Sequence, residues 1–335
     1  MSQETQFSIP FPSRTSPDGK RCHDRGCQWM RDEGLLSGPG SLRTFLRTVD
    51  HIGLAILTYP YAVGTALDLA ADTLGLAFVM DDELSGPGER APGLVARIID
   101  EVTAVSSPAQ ATRAPAAPVR GRPLRRTPFG RVWLRVWRDL CEGMSPDWQA
   151  RSARNWAAFF ATFPLEDHNH RNGIVLDIDS YRALRRISVG VEPLIDVAER
   201  VGGFEVPARV QDSAWMRRMR YTASDAIAVM NDVHGVEREE SHQDTHNLVL
   251  LLEHHEKLSR DEAIDEGVRI FDQQLADFTS LYEQVPRLCA PLDLNGRERD
   301  AVARFTEALC LWISGSYAWS LDTNRYALPK SAQRA

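Results

Sequence analysis

The sequence has few of the cysteine patterns that mark secreted or zinc-binding proteins. It contains five cysteines, Cys22, Cys27, Cys141, Cys289 and Cys310. Their odd number and scattered positions are typical of reduced thiols and not of a disulfide framework. Because Cys22 and Cys27 have no second close pair, we expect no zinc site. These features predict a cytoplasmic protein.

Long hydrophobic runs and an excess of positive charge are also missing. No apolar run approaches the roughly 20 residues needed to span a bilayer. The first residues, MSQETQFSIPFPSR, lack the basic start and apolar stretch of a secretory signal. The formal net charge of -7 gives no electrostatic reason to bind nucleic acid. We therefore expect no stable membrane insertion and no nucleic-acid partner.

What the sequence does have is helical periodicity. The chain of 335 residues is 43% hydrophobic, enough to bury a large core. Apolar residues recur at spacings of three and four, whereas strand patterns are scarce. This periodicity predicts an all-α protein. The predicted helical segments are 41–58, 61–80, 91–104, 131–143, 147–163, 179–200, 207–235, 243–256, 260–285 and 296–320.

Three stretches interrupt this periodicity. Residues 1–25 and 327–335 look irregular, and the segment 106–131 contains prolines at 108, 115, 118, 123 and 128. So many prolines exclude a continuous helix. Because helical patterns resume on both sides, we interpret 106–131 as a surface loop within one domain. The predicted organisation is an N-terminal segment 1–25, a helical domain 26–326 and a C-terminal tail 327–335.

The segment from Asn231 to Glu239 is the most informative part of the sequence. Asn231, Gly235 and Glu239 are spaced by four residues, which places them on one face of a helix. An amide oxygen and a carboxylate suit a hard cation such as Mg²⁺. Taken alone, such acidic segments are usually solvated helix faces. A second acidic site, Asp81-Asp82-Glu83, follows an apolar run, and adjacent buried acids need a cation or basic groups beside them.

Two further segments complete a recognisable order of motifs. Tyr181 to Gly190 reads YRALRRISVG, and Trp319 to Tyr326 reads WSLDTNRY. Together with the two acidic sites, they resemble the motifs of bacterial class I terpene synthases, and the resemblance covers nearly the whole chain. It implies a single-domain helical bundle around a central hydrophobic cavity. The implied reaction ionises a prenyl diphosphate, with farnesyl diphosphate as the first choice, and cyclises the carbocation to a sesquiterpene.

The resemblance also implies a set of metal ligands. Asp81 with Asp82 would hold two Mg²⁺ ions, and Asn231 with Glu239 would hold a third, with Mn²⁺ as an alternative metal. Gly235 stands where the family usually has a serine ligand, so we expect water to take that coordination place. We therefore predict weaker metal affinity and not lost activity.

Further residues are assigned to the diphosphate and to the cavity wall by the same resemblance. Either of the adjacent arginines Arg185 and Arg186 fits the diphosphate-sensing position, and we predict Arg186. The other implied diphosphate ligands are Arg238, Arg325 and Tyr326, and the implied effector position is Gly190. The implied wall residues are Phe78, Trp312 and Trp319, although aromatics at helical spacing are more often ordinary core residues.

Several alternatives stay open at this point. Geranyl or geranylgeranyl diphosphate would make the chain a monoterpene or diterpene synthase. A prenyl-chain-elongating transferase has a similar cavity, but it normally carries a second aspartate-rich motif in place of the Asn231 segment. An inactive helical homologue is a third alternative, because Gly235 is not a ligand and Ser85 and Gly86 stand where a third acid is common. The resemblance also implies that the chain could form a homodimer.

Overall fold

The computed structural model of the protein describes residues 6–35, 45, 49–84, 93–106 and 127–326. Within these ranges the chain forms helices joined by short loops, and it contains no strand. The prediction of an all-α protein is therefore confirmed. Across the same ranges, no helix is both long enough and apolar enough to cross a membrane.

Thirteen α-helices and one 3₁₀ turn, Ala290–Leu292, make up the described fold. The helices are α1 Gly19–Glu33, α2 His51–Thr58, α3 Gly64–Leu84, α4 Leu94–Ser106, α5 Pro128–Cys141, α6 Pro146–Asn172, α7 Ile178–Ser188, α8 Val191–Gly202, α9 Ala208–Gln211, α10 Ala214–Ser241, α11 Leu248–Glu256, α12 Arg260–Cys289 and α13 Gly296–Asp322.

Local sequence explains where several helices begin. Ser145 caps α6 by accepting a hydrogen bond from the backbone N–H of Trp148, and a proline follows in the first turn. The capping-box spacing of Ser259 and Glu262 is realised at the start of α12. The segment predicted as one helix over 179–200 is two helices, because Gly190 adopts a φ of 75° between them.

Helices α3 and α10 organise the packing of the bundle. Helix α3 packs against α1, α2, α5 and α8, whereas α10 packs against α7, α11, α12 and α13. Buried apolar side chains from α1 through α13 form one continuous core. The carboxyl-terminal halves of α3 and α10 carry the two acidic motifs, so this packing decides where those motifs lie.

The N-terminal segment belongs to the packed fold. Helix α1 begins at Gly19, inside the stretch 1–25 that was expected to be irregular. Phe7 is buried against Phe271, with ring centroids 4.6 Å apart, and its backbone N–H donates to the Tyr317 hydroxyl at 3.2 Å. Most of the predicted loop 106–131, namely 107–126, and the tail 327–335 lie outside the described residues.

Candidate active site

The two acidic motifs line one cavity of about 420 Å³. Its wall is built from α3, α6, α7, α8, α10, α13, Leu54 of α2 and the segment after α10. The volume lies in the range of about 300–1,000 Å³ that is usual for small-molecule sites. The predicted site residues that line it are Phe78, Asp81, Asp82, Gly190, Asn231, Arg238, Glu239, Trp312, Trp319, Arg325 and Tyr326. The predicted site residues Gly235 and Arg186 do not line this cavity.

The acids of α3 are surrounded by arginines from other parts of the chain. Arg325 donates to Asp81 at 3.0 Å and to Asp82 at 3.1 Å, and Arg238 donates to Asp82 at 3.4 Å. The Arg325 side chain is only 7% exposed, so its charge acts in a partly dehydrated site. Opposite charges thus meet around Asp81 and Asp82. An anion would find arginines there, and its accompanying cations would find carboxylates.

The α10 motif faces the same cavity through Asn231 and Glu239. The Asn231 amide nitrogen donates to the Tyr326 hydroxyl at 2.7 Å, and its oxygen accepts a hydrogen bond from Arg185. Burial, reinforced by the nearby Asp232 carboxylate, raises the pKa of Glu239 above its usual value. A Cβ atom at Gly235 would lie 2.9 Å from Glu239 Oε1, so the Glu239 carboxylate lies over the glycine.

The adjacent arginines of α7 point to different surroundings. Arg185 lines the cavity and donates to Asp232 at 2.9 Å, and Asp232 is buried. Arg186 instead donates twice to Asp225, at 2.7 and 2.6 Å, outside the cavity. Successive helix residues diverge by about 100°. The structure therefore places Arg185, and not the predicted Arg186, beside the acidic motifs.

Aromatic rings line the same cavity, and one of them lies beside the acidic cluster: the Arg325 guanidinium is 4.9 Å from the centre of the Phe78 ring. The rings of Phe78 and Trp319 are 5.8 Å apart, and Trp312 packs edge-on against Tyr59 at 5.5 Å. Phe159 adds a further ring at the break between α7 and α8. A Cβ at Gly190 would lie 3.0 Å from this ring, so glycine permits the close approach as well as the positive φ.

Motif spacing missed several polar residues of the cavity, including Glu166, Asp244 and His246. Burial raises the pKa of Glu166 to about 7. Burial is the largest single influence on His246 and lowers its pKa, but the hydrogen bond to Asp244 and the charges of Asp244 and Glu166 together outweigh it and raise the pKa of the imidazole. The Asp-x-His pattern that starts five residues after the α10 motif could have pointed toward Asp244 and His246, whereas no local motif marks Glu166.

The oxygen donors of the cavity fit metal ions that are shared with a ligand. Among the described residues, no group of three or more His, Cys, Asp or Glu side chains forms a metal cage by itself. Two facing helices instead supply carboxylate and amide oxygens, Asp81 and Asp82 from α3 and Asn231 and Glu239 from α10. Mg²⁺ usually binds in this way, through a few protein oxygens together with water and substrate phosphates.

Comparison with known proteins agrees with this site. The model of the family described as "Terpene synthase family 2, C-terminal metal binding" matches residues 72–277, more than half of the chain. Pentalenene synthase of Streptomyces exfoliatus is 33% identical over 97% of this chain and 94% of that protein. The (-)-beta-caryophyllene synthase of Saccharothrix espanaensis, described as farnesyl diphosphate cyclizing, is 34% identical over 97% of this chain and 89% of that protein.

Solved structures show the same relationship. The crystal structure of a-eudesmol synthase superimposes with a TM-score of 0.84 at 31% identity, covering 95% of this chain and 99% of that chain. The linalool/nerolidol synthase from Streptomyces clavuligerus, in complex with 2-fluorogeranyl diphosphate, gives a TM-score of 0.80 at 28% identity, covering 96% and 100%. The chain therefore belongs to terpene synthase family 2 and is a class I terpene synthase with the family's all-α fold.

Proposed function

We propose that this chain ionises farnesyl diphosphate in a metal-dependent reaction and cyclises the resulting carbocation to a sesquiterpene. The observation that carries the proposal is one cavity lined both by acids and arginines and by aromatic rings. The charged side chains suit a diphosphate with its cations, and the rings suit a hydrocarbon chain. Relatives such as the caryophyllene synthase, whose substrate is farnesyl diphosphate, support the choice of substrate.

The metal would be Mg²⁺, with Mn²⁺ as an alternative. Asp81 and Asp82 would hold two ions and Asn231 with Glu239 a third, with water at the place that Gly235 leaves without a side chain. When bound, such ions act as Lewis acids that stabilise the charge of the leaving diphosphate. The description of the family as metal binding supports a divalent metal in general.

The arginines would hold the diphosphate. We assign the sensing role to Arg185 because it lies between the α10 motif and the cavity, whereas Arg186 is paired with Asp225 elsewhere. Arg238 and Arg325, which contact the α3 acids, would turn part of their hydrogen-bonding capacity to the diphosphate. Planar guanidinium groups suit this role because they donate two parallel hydrogen bonds to phosphate oxygens.

Tyr326 would complete the diphosphate ligands. Its hydroxyl accepts a hydrogen bond from Asn231 at 2.7 Å, and therefore it keeps its own proton free to donate to an oxygen of the diphosphate. This hydrogen bond thus links Asn231, the proposed metal ligand of α10, directly to the C-terminal Arg325-Tyr326 pair.

The aromatic side chains of the cavity would guide the carbocation. Phe78, Trp319 and Trp312 line the cavity, and Phe159 lies beside the break at Gly190. A π face attracts a cation more strongly where water is excluded. We assign the effector position to Gly190 because the break between α7 and α8, at Ser188, Val189 and Gly190, lines the cavity.

Substrate class is tested by supplying purified protein with Mg²⁺ and geranyl, farnesyl or geranylgeranyl diphosphate, each with and without isopentenyl diphosphate. We expect the fastest diphosphate release with farnesyl diphosphate, and a cyclic sesquiterpene by gas chromatography with mass spectrometry. Elongated products that appear only with isopentenyl diphosphate would instead identify a transferase. The cytoplasmic location and the homodimer stay predictions, which fractionation of cells and sedimentation of the purified protein would check.

A further inference from the structure

Asn247 lies in the segment between α10 and α11 and is fully buried. Its side-chain oxygen accepts hydrogen bonds from the backbone N–H groups of Val249 at 2.8 Å and Leu250 at 3.4 Å, which caps α11. Its amide nitrogen donates to the backbone carbonyl of Asp232 at 2.7 Å and to Glu239 Oε2 at 2.5 Å. Both ends of the amide are therefore in use.

The cap alone does not explain an asparagine here. A helix N-cap needs only an acceptor, which serine, threonine or aspartate supplies as well. None of those residues has an amide N–H group beside the capping oxygen, since aspartate has no donor and the serine or threonine hydroxyl is itself the capping atom. In this structure the amide N–H group reaches the Asp232 carbonyl and the Glu239 carboxylate. Asn247 thus joins the start of α11 to the metal motif of α10.

The Glu239 carboxylate has little else on its own helix to restrain its orientation. Position 235, one helical turn before it, is glycine, and a Cβ there would lie 2.9 Å from Glu239 Oε1. The carboxylate therefore lies in space that a side chain at 235 would fill, and glycine does nothing to restrain it. A glutamate side chain has several rotatable bonds, so a buried donor on its other oxygen strongly restricts where it points.

We propose that Asn247 is a positioning residue that fixes the Glu239 carboxylate for metal binding, and that its amide supplies the restraint that Gly235 cannot. The inference rests on the proposed role of Glu239 as a metal ligand. Residues that orient a metal ligand typically change metal affinity by about 10- to 100-fold when they are removed. Asn247 acts in this way without contacting the metal or the substrate itself.

The test compares Asn247→Ser with the matched cap variant Asn295→Ser. Asn295 caps α13 by accepting from the backbone N–H of Glu298 at 3.0 Å, but it is exposed and has no contact with the cavity. Serine keeps an N-cap acceptor at both sites and is too short to replace the amide donor. Metal binding is measured by titrating Mg²⁺ in the presence of inorganic diphosphate, by calorimetry and by the rise in unfolding temperature, without turnover.

For Asn247→Ser we expect the Mg²⁺ concentration at half-saturation to rise by about tenfold or more. For Asn295→Ser we expect the wild-type value. The effect of Asn247→Ser should be smaller in a Gly235→Ser background, because a side chain at 235 already displaces the Glu239 carboxylate. If Asn247→Ser does not fold, Asn247→Asp keeps the α11 cap and removes the donor, and the same rise is expected.

Equal Mg²⁺ midpoints for wild type and a folded Asn247 variant would overturn the inference, and so would an equal rise in the Asn295 control. A wild-type protein that neither binds Mg²⁺ with diphosphate nor releases diphosphate from prenyl substrates would overturn the proposed function, and this inference with it. The wild-type titration therefore distinguishes the two failures.

Discussion

Substituting each of the two adjacent arginines of α7 gives a matched pair of variants that tests the geometry of the site. Arg185→Lys and Arg186→Lys both keep the positive charge and remove the planar fork. Arg185 lines the cavity beside Asn231 and Asp232, and Arg186 is paired with Asp225 outside it. The variants differ by one position on one helix, so a difference in activity reports on the direction of the side chain.

The expected loss of kcat/KM in Arg185→Lys follows from the hydrogen bonds that lysine cannot reproduce. Arg185 already donates to Asp232 and Asn231, and a diphosphate oxygen would take a further N–H of the same fork. One hydrogen bond to a charged group contributes about 1.5–3 kcal/mol. In the wild type this hydrogen bond forms only when substrate binds and ionises, and in Arg185→Lys it is missing. The value of kcat/KM should therefore fall by about 10- to 150-fold, since about 1.4 kcal/mol corresponds to a factor of ten.

Arg186→Lys should leave kcat/KM unchanged. The Arg186 side chain is 33% exposed and its partner is Asp225, so the variant should cost about 0–1 kcal/mol of stability, as for other partly exposed ion pairs. Diphosphate release at saturating Mg²⁺ and varied farnesyl diphosphate, with unfolding temperature as a control, checks both variants. A loss of kcat/KM in Arg186→Lys, with Arg185→Lys equal to wild type, would refute the placement.

Three further variants test other parts of the site. Asn231→Ala should reduce turnover more severely than Gly235→Ser, because it removes a proposed oxygen ligand of the metal and the hydrogen-bond partner of the Tyr326 hydroxyl. Diphosphate release at increasing Mg²⁺ measures both variants, and an active Asn231→Ala would contradict the metal assignment. Arg325→Ala should raise the KM for prenyl diphosphate and leave the circular dichroism of the helices intact, so a gross loss of helicity would indicate a structural role. Trp319→Ala should change the distribution of products more than the rate of diphosphate release, and an unchanged product profile would exclude this ring from cation guidance.

Periodicity predicted the helices because most of them bury one continuous face. The capping box of Ser259 and Glu262 was readable because it depends on residues three positions apart. The break at Gly190 was not predicted, since the apolar pattern of α7 continues into α8 and a positive φ leaves no trace in periodicity. Motif order identified the two acidic sites for the same reason as the capping box: their defining residues are close in sequence.

The rest of the site depends on how helices rotate and pack. The choice between Arg185 and Arg186 required the orientation of α7 against α10, which spacing within α7 does not contain. The fold-back of Glu239 over Gly235 and its hydrogen bond from Asn247 depend on where the segment after α10 turns. Such contacts are set by tertiary packing and become visible only in the folded structure.

The central claim is that one cavity ionises farnesyl diphosphate with the help of a divalent metal and cyclises the cation. The most direct measurement follows inorganic diphosphate and volatile products together, from farnesyl diphosphate and purified protein, with Mg²⁺ and with Mg²⁺ removed by a chelator. We expect diphosphate and a cyclic sesquiterpene in matching amounts with Mg²⁺, and neither without it. Absence of both products at saturating Mg²⁺ would contradict it.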